Sequence, residues 1–303
     1  MQTFTNNAVP SLAADYPEQP LGRLIYMMDP SAFDIRDAIN PHMRDAEGRL
    51  HTVDKRRALS QWQALKAVYE NLGLRVQVLE ADPNCPDMVF CANQSLPFLE
   101  EGERPHVILS NMAAAARQFE VAVFARQIKA CGVTLHSLPP RSPDHLFEGT
   151  GDALWVPGRK LILGGYGSRT KRSIYQTVAA ITSAPIVLFE LVHPRFYHLD
   201  TCLSILDDHT VLAAREGFHP RDWNTLSELF PRVIEVDIDE ADFPGFACNA
   251  HCPDKKHVII QRGNEKTCRA LRALGFVPIE VETDEFIKSG GSVFCMKLQT
   301  LWD

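Results

Sequence analysis

No run of apolar residues in this chain reaches the roughly 18–20 that a membrane-spanning helix requires, and no block of like charge extends beyond a few residues. The first absence leaves no candidate for a transmembrane helix. The second, with a net charge of -7, argues against a nucleic-acid partner, which would call for a basic face. The opening residues, Met1 to Pro10, lack a basic region followed by an apolar one, so no secretory signal is expected. The eight cysteines fall at irregular spacings that make no disulfide framework. Reduced thiols in a cytoplasmic setting are expected instead.

Two familiar ligand signatures are also missing. The stretch Gly164–Thr170 lacks both the Walker lysine and the dinucleotide glycine spacing, and reads as a strand-to-helix turn. Cys248-Asn-Ala-His251-Cys252 looks like half of a zinc site, but four ligands at conventional spacing are not there, even with Cys85 and Cys91 considered. No metal and no cofactor are therefore expected. What the chain does have is length and apolar content: 303 residues, 45% hydrophobic, enough for a substantial core without staples.

One pattern recurs at roughly 45–60-residue intervals: amphipathic helix, Gly or Pro break, extended apolar run, polar loop, second apolar run. After a lead-in, irregular over residues 1–20 and ending in a strand at Arg23–Met28, the first helix is expected at Lys55–Asn71. Leu59, Trp62, Leu65, Tyr69 and Leu72 would form its apolar face, with Gly73 as its end and a strand over Leu74–Glu80. Later helices are expected at Arg117–Lys129, Ile174–Thr182, Trp223–Phe230 and Lys266–Leu274. The strands that follow them are placed at Val133–Leu138, Ile186–Leu191, Val233–Ile238 and Phe276–Val281. Such units cannot bury both faces alone and must pack on one another. The expected fold is α/β, a five-bladed α/β propeller of ββαβ units in a single domain over 1–303. A two-domain α/β sandwich is the alternative.

In a closed ring the corresponding loops would converge, and each carries a residue capable of chemistry. They are Asn93, Glu148 with Asp152, His198 with Asp200, Asn249, and Cys295 behind the pair Gly290-Gly291. A thiol, an imidazole and several carboxylates from five segments point to nucleophilic catalysis.

At these loops the sequence resembles the guanidine-modifying superfamily of arginine deiminases, dimethylargininases and amidinotransferases. The stretches carrying the resemblance are Ala38–Met43, Pro86–Asn93, Phe147–Leu154, Gly165–Thr170, Phe196–Thr201 and Lys288–Cys295. The resemblance implies a five-bladed propeller (a pentein) with its site on the axis. It also implies Cys295 as the nucleophile that forms a covalent thiouronium. His198 would be the acid and then the base, while Glu148, Asp152 and Asp200 would be acceptors for the guanidinium. Asp87, which follows a proline where turns favour aspartate, stays open between a structural and a functional reading. Many members carry a carboxylate where this chain has Asn93; asparagine there resembles the arginine dihydrolase branch, which releases ornithine, carbon dioxide and ammonia. Asn40 and Arg117 fall where that branch places substrate contacts, and Asn249 is taken with them as a binding residue.

The expected partner is thus a small molecule, arginine or a derivative, with no nucleic acid and no membrane. A homo-oligomer is left open. Dimethylargininase, deiminase and amidinotransferase activities, and an inactive arginine-binding propeller, stand as alternatives.

Overall fold

The computed structural model describes residues 3–4, 11–100 and 104–303. Its first helix, Lys55–Asn71, begins where Asp54 accepts hydrogen bonds from the backbone of Arg56 and Arg57, satisfying donors that the first turn leaves open. Ala58, Gln61, Trp62, Leu65 and Tyr69 form its buried stripe. Leu59 is 45% exposed instead of buried. One residue along a helix turns the side chain by about 100°, so Ala58 and Leu59 cannot share a face. Gly73, Gly132 and Gly275, all at positive φ, end three of the helices.

Five sheets are formed among the described residues. In three of them the order is the same: an inner strand, an antiparallel middle strand, a helix, and an outer strand parallel to the middle one. Ser95–Glu100, Arg104–Leu109 and Thr134–His136 follow it around the helix Gln118–Ala130. Ala153–Trp155, Ile162–Tyr166 and Ile186–Glu190 do so around Tyr175–Thr182. Leu203–Ile205, Thr210–Ala213 and Arg232–Glu235 do so around Pro220–Leu229. The fifth unit pairs His257–Gln261 with Val277–Val281 around Glu265–Ala273, its inner strand reduced to a bridge between His251 and Ile259. The remaining sheet joins the two ends of the chain: Leu298–Gln299 lies antiparallel to Leu24–Met28, which runs parallel to Arg75–Leu79.

The middle strands are largely buried, and in Leu24–Met28, Ile162–Tyr166 and His257–Gln261 alternate residues enter different cores, whereas Val211, Leu212 and Ala213 share one. Ile25 and Met27 pack with Trp62, Leu65, Ile259 and Val281. Leu24, Tyr26 and Met28 pack with Val107, Phe124 and Ile128 of the next unit. Ile162, Ile186 and Leu188 join Leu96, Phe98 and Ile108, whereas Leu163, Val187 and Phe189 join Leu203, Val211, Leu212, Val258 and Ile260. Each apolar cluster therefore bonds consecutive sheets, and one bonds the fifth sheet to the first.

Several expected boundaries shift, for physical reasons. The strand after the fourth helix stops at Glu235 because its partner ends at Ala213, opposite Glu235, and a short helix Ile238–Ala241 follows. That fourth helix starts three residues earlier than expected, at Pro220, with His219 capping it and proline in the first turn. The strand expected at Val133–Leu138 contracts to Thr134–His136, the stretch that has a partner in His106–Ile108. Within the lead-in, Thr3–Phe4 is a strand alongside Ile186–Val187; residues 1–2 and 5–10 lie outside the described residues. Among those described, no helix is long and apolar enough to cross a membrane.

Candidate active site

The chemistry-bearing residues sit just before the inner strands. Short 3-10 turns at Pro86–Val89, Gly149–Gly151, Leu199–Thr201 and Ala247–Asn249 lead into four of these strands or bridges. Cys295 lies just before the fifth, Leu298–Gln299. Close approach of these turns requires glycine: a Cβ on Gly151 would collide with Asn93 Nδ2 and lie 3.2 Å from His198 Nδ1. A Cβ on Gly291 would run into the ring of Phe90.

Cys295 is 2% exposed, with its thiol 3.1 Å from Asp200 Oδ2 and 3.2 Å from Asn249 Nδ2. Burial, and then the Asp200 carboxylate, push the thiol well above its usual range. Burial also lifts Asp200 to about 7, against the hydrogen bond from the thiol. The pair thus holds one proton between sulfur and carboxylate, and an arriving cation would favour its loss. Asp200 Oδ1 has no hydrogen-bond partner.

Asn249, expected as a binding residue, has its amide engaged within the protein. Its Oδ1 accepts from the backbone of Ser292, Phe294 and Cys295, and its Nδ2 donates to Asp200 O and to the Cys295 sulfur. Every polar atom of the amide is used in holding the cysteine loop. A polar residue in a loop reads alike in sequence whether it meets substrate or backbone.

His198 Nε2 lies 2.7 Å from Glu148 Oε2 and 4.0 Å from Asp152 Oδ2. Glu148, fully buried, also accepts from Ala113 N and Arg169 Nη1. Burial would raise its pKa, but Arg169 and His198 outweigh that and hold it well below the carboxylate range. Glu148 is thus a fixed anion that orients the imidazole. Asp152 accepts from Leu199 N, and burial raises it to about 6. It stands behind the histidine.

Arg117 Nη1 donates to Asn93 Oδ1 at 2.7 Å, while its other nitrogens bind Glu120 and the carbonyls of Asp87 and Phe90. Gln94 Nε2 donates to Glu120 Oε2, the oxygen that also accepts from Arg117 Nη2. Burial works against the Arg117 charge, but Glu120 and Asp87 outweigh it. The consequence falls on Asn93: its oxygen is taken, so the group left over is the Nδ2 donor, buried and without a partner among the described residues.

A cavity of about 10 Å3 is lined by Asn40, Asp87, Asn93, Arg117, Arg169 and Cys295, together with Tyr197 and Ser289; Glu148, Asp152, His198, Asp200 and Asn249 are not in its lining and stand behind it. That space holds about one water, so the site is closed. Asn40, which caps the turn Pro41–Met43 and donates to Ser289 O, forms part of its cover. Arg169, Asp87, Tyr197 and Ser289 were not assigned as site residues from sequence. Arg169 bonds Glu148 and the carbonyl of Ile39, and its guanidinium lies 5.1 Å from the Tyr197 ring centre. Asp87 accepts from Ser289 Oγ, and burial raises it above the usual carboxylate range. A lone arginine after a glycine-rich turn carries no signal of its own. Pro-Asp is a common turn, so neither could be distinguished. The candidate zinc residue His251 is engaged by Tyr69 and Gln299. The metal-capable cluster among the described residues, Asp207, Asp208 and His209, lies outside the cavity and is paired with Arg159 and Lys255.

Comparison with known proteins adds a lineage to this geometry. A family model described as N,N dimethylarginine dimethylhydrolase, eukaryotic, matches residues 29–301. An N(G),N(G)-dimethylarginine dimethylaminohydrolase of Mycobacterium tuberculosis is 36% identical over 282 residues, covering 92% of this chain and 86% of that protein. The bifunctional arginine dihydrolase/ornithine cyclodeaminase ArgZ of Synechocystis is 31% identical over 276 residues, 91% of this chain but 37% of that protein. A crystal structure of the N-terminal domain of ArgZ, an arginine dihydrolase, in a substrate-bound mutant form superposes with a TM-score of 0.82 at 30% identity, covering 91% of this chain and 97% of that one.

Proposed function

Because the chain belongs to the N,N-dimethylarginine dimethylhydrolase family, we propose that it is a cysteine-dependent hydrolase that removes both terminal nitrogens of arginine, leaving ornithine, carbon dioxide and ammonia. We read its five sheets as the blades of one closed α/β propeller spanning 1–303. Supporting this are the apolar clusters that link each sheet to the next and the C-terminal strand that completes the first.

In this reading Asp200 takes the thiol proton and Cys295 attacks the guanidinium carbon. Asp87 and Asp200 would hold the guanidinium nitrogens, and Arg117 would fix Asn93 beside them. His198, fixed by Glu148, protonates the departing nitrogen, and ammonia leaves a thiouronium on sulfur. The imidazole then draws a proton from water, which attacks the same carbon and releases the ureido compound. A second round on the ureido carbon expels the other nitrogen, and hydrolysis of the thiocarbamate yields a carbamate that loses carbon dioxide.

The observation that carries double hydrolysis is the orientation of Asn93. A ureido group presents an oxygen where arginine presents a nitrogen. A carboxylate at position 93 could only accept, and would repel that oxygen. With its own oxygen bound to Arg117, Asn93 offers Nδ2 as a donor, which suits an oxygen that gains charge during attack. Hydrolysis of dimethylarginine is the second reading, favoured by the 36% identity to the mycobacterial protein of that name.

The test is competition followed by trapping. Arginine and dimethylarginine are supplied together, consumption of each is followed, and acid-quenched protein is peptide-mapped. The proposal expects arginine to be consumed and a transient adduct on Cys295. Consumption of dimethylarginine alone, or an adduct on another thiol, would contradict it.

A further inference from the structure

Phe294 and Lys297, which flank Cys295 in the chain, line a second cavity of about 70 Å3. Its walls include Thr150, Leu154, Trp155, Ile205, Phe294 and Leu301, and it meets half-buried residues at Gln19 and Pro157. Lys297 lines it, two residues beyond Cys295. The lysine is 3% exposed, and its ammonium lies 3.2 Å from the centre of the Phe294 ring. No carboxylate lies within ion-pair distance of it, and its side chain makes no hydrogen bond, among the described residues. His251 is committed to Tyr69 and Gln299, Thr150 to Ala92 O and Thr300 to Leu24 O, whereas Gln19 Nε2 on the same wall is buried with no partner among the described residues and is a second free donor. A buried amine facing open space with one aromatic contact lacks the counter-charge that burial demands.

We propose that this cavity is a binding site for a compact carboxylate-type oxyanion, of acetate or bicarbonate size, that pairs with Lys297. A charged Lys297 stabilises an ionised Asp200, and a bound anion would offset part of that field with its own charge. Burial lowers Lys297 to about 7, and Asp200, Cys91, Cys295 and His251 all lie in its field. Anion binding holds the amine protonated, so affinity should fall roughly tenfold per pH unit above about 7.

The experiment uses full-length protein labelled with 13C at the lysine ε carbons, titrated with acetate, bicarbonate or chloride at constant ionic strength. One lysine resonance should titrate near neutral pH and vanish in Lys297→Met. Acetate and bicarbonate should shift it saturably, more weakly as pH rises. In Leu301→Phe, which fills the cavity and leaves the amine, the resonance should remain but no longer respond. An unresponsive resonance, an equal response to chloride, or a response that survives Leu301→Phe would overturn the proposal. The readout does not depend on turnover, so a failed activity assignment and a failed anion site are separable.

Discussion

At the scale of single residues, the proposed chemistry rests on one shared proton and one fixed amide. Cys295→Ser should lower turnover by roughly 10⁴-fold or more while circular dichroism stays native, since serine fits the thiol's place. Asn93→Asp replaces the free donor with an acceptor beside Arg117. The first hydrolysis should continue and the second should slow by about 10²–10³-fold, visible as accumulation of the ureido product by chromatography. The Asp200–Cys295 pair sets a pH signature. Asp200 must be ionised to accept the thiol proton and is lifted to about 7 by burial, so kcat/KM should rise with pH through that region. Stability runs the other way. A carboxyl whose folded pKa exceeds its unfolded value contributes most below the unfolded value and loses that contribution as pH rises through the folded one. Asp200→Asn should therefore raise urea stability at pH 8 by about 2–4 kcal/mol, with the difference closing near pH 4. Cys295 and His198 were singled out by the resemblance of their loops and not by residue type, since Cys85, Cys91, Cys248 and Cys252 also lie in turns or loops. The orientation of Asn93 was not legible, because it depends on Arg117 and Glu120, which follow it by more than twenty residues.

Among elements, the site is held by turns that precede inner strands, and the cysteine loop hangs on Asn249. Asn249→Ala leaves three backbone donors and the thiol without their partner. It should cost about 2–3 kcal/mol of stability, measured by urea unfolding, and lower kcat more than it raises KM. Helices were well legible: the first matches at both ends because Asp54 and Gly73 punctuate it. Strand ends were less so, because a strand stops where its neighbour does, as at Ala213 opposite Glu235. Periodicity contains no such information. The inner strands were the least legible; the one in the fifth unit is a single bridge at His251.

For the molecule as a whole, the sequence shows five similar units, yet the closure of the first by the last is a long-range fact. Leu298 pairs with Tyr26 and buries its side chain in the core shared with Val107 and Phe124. Leu298→Ala should therefore destabilise the whole chain by about 3 kcal/mol in a single cooperative urea transition, although the residue lies near the terminus. The contacts at the candidate site, Cys295 with Asp200, 95 positions earlier, and His198 with Glu148, join different units, which the pattern within one unit does not encode. The most direct measurement is to supply arginine labelled with 15N at both terminal guanidino nitrogens and count labelled ammonium against ornithine. The account predicts two labelled ammonium ions and one ornithine for each arginine consumed. One ammonium with citrulline as the end product, or no release from arginine at all, would contradict it.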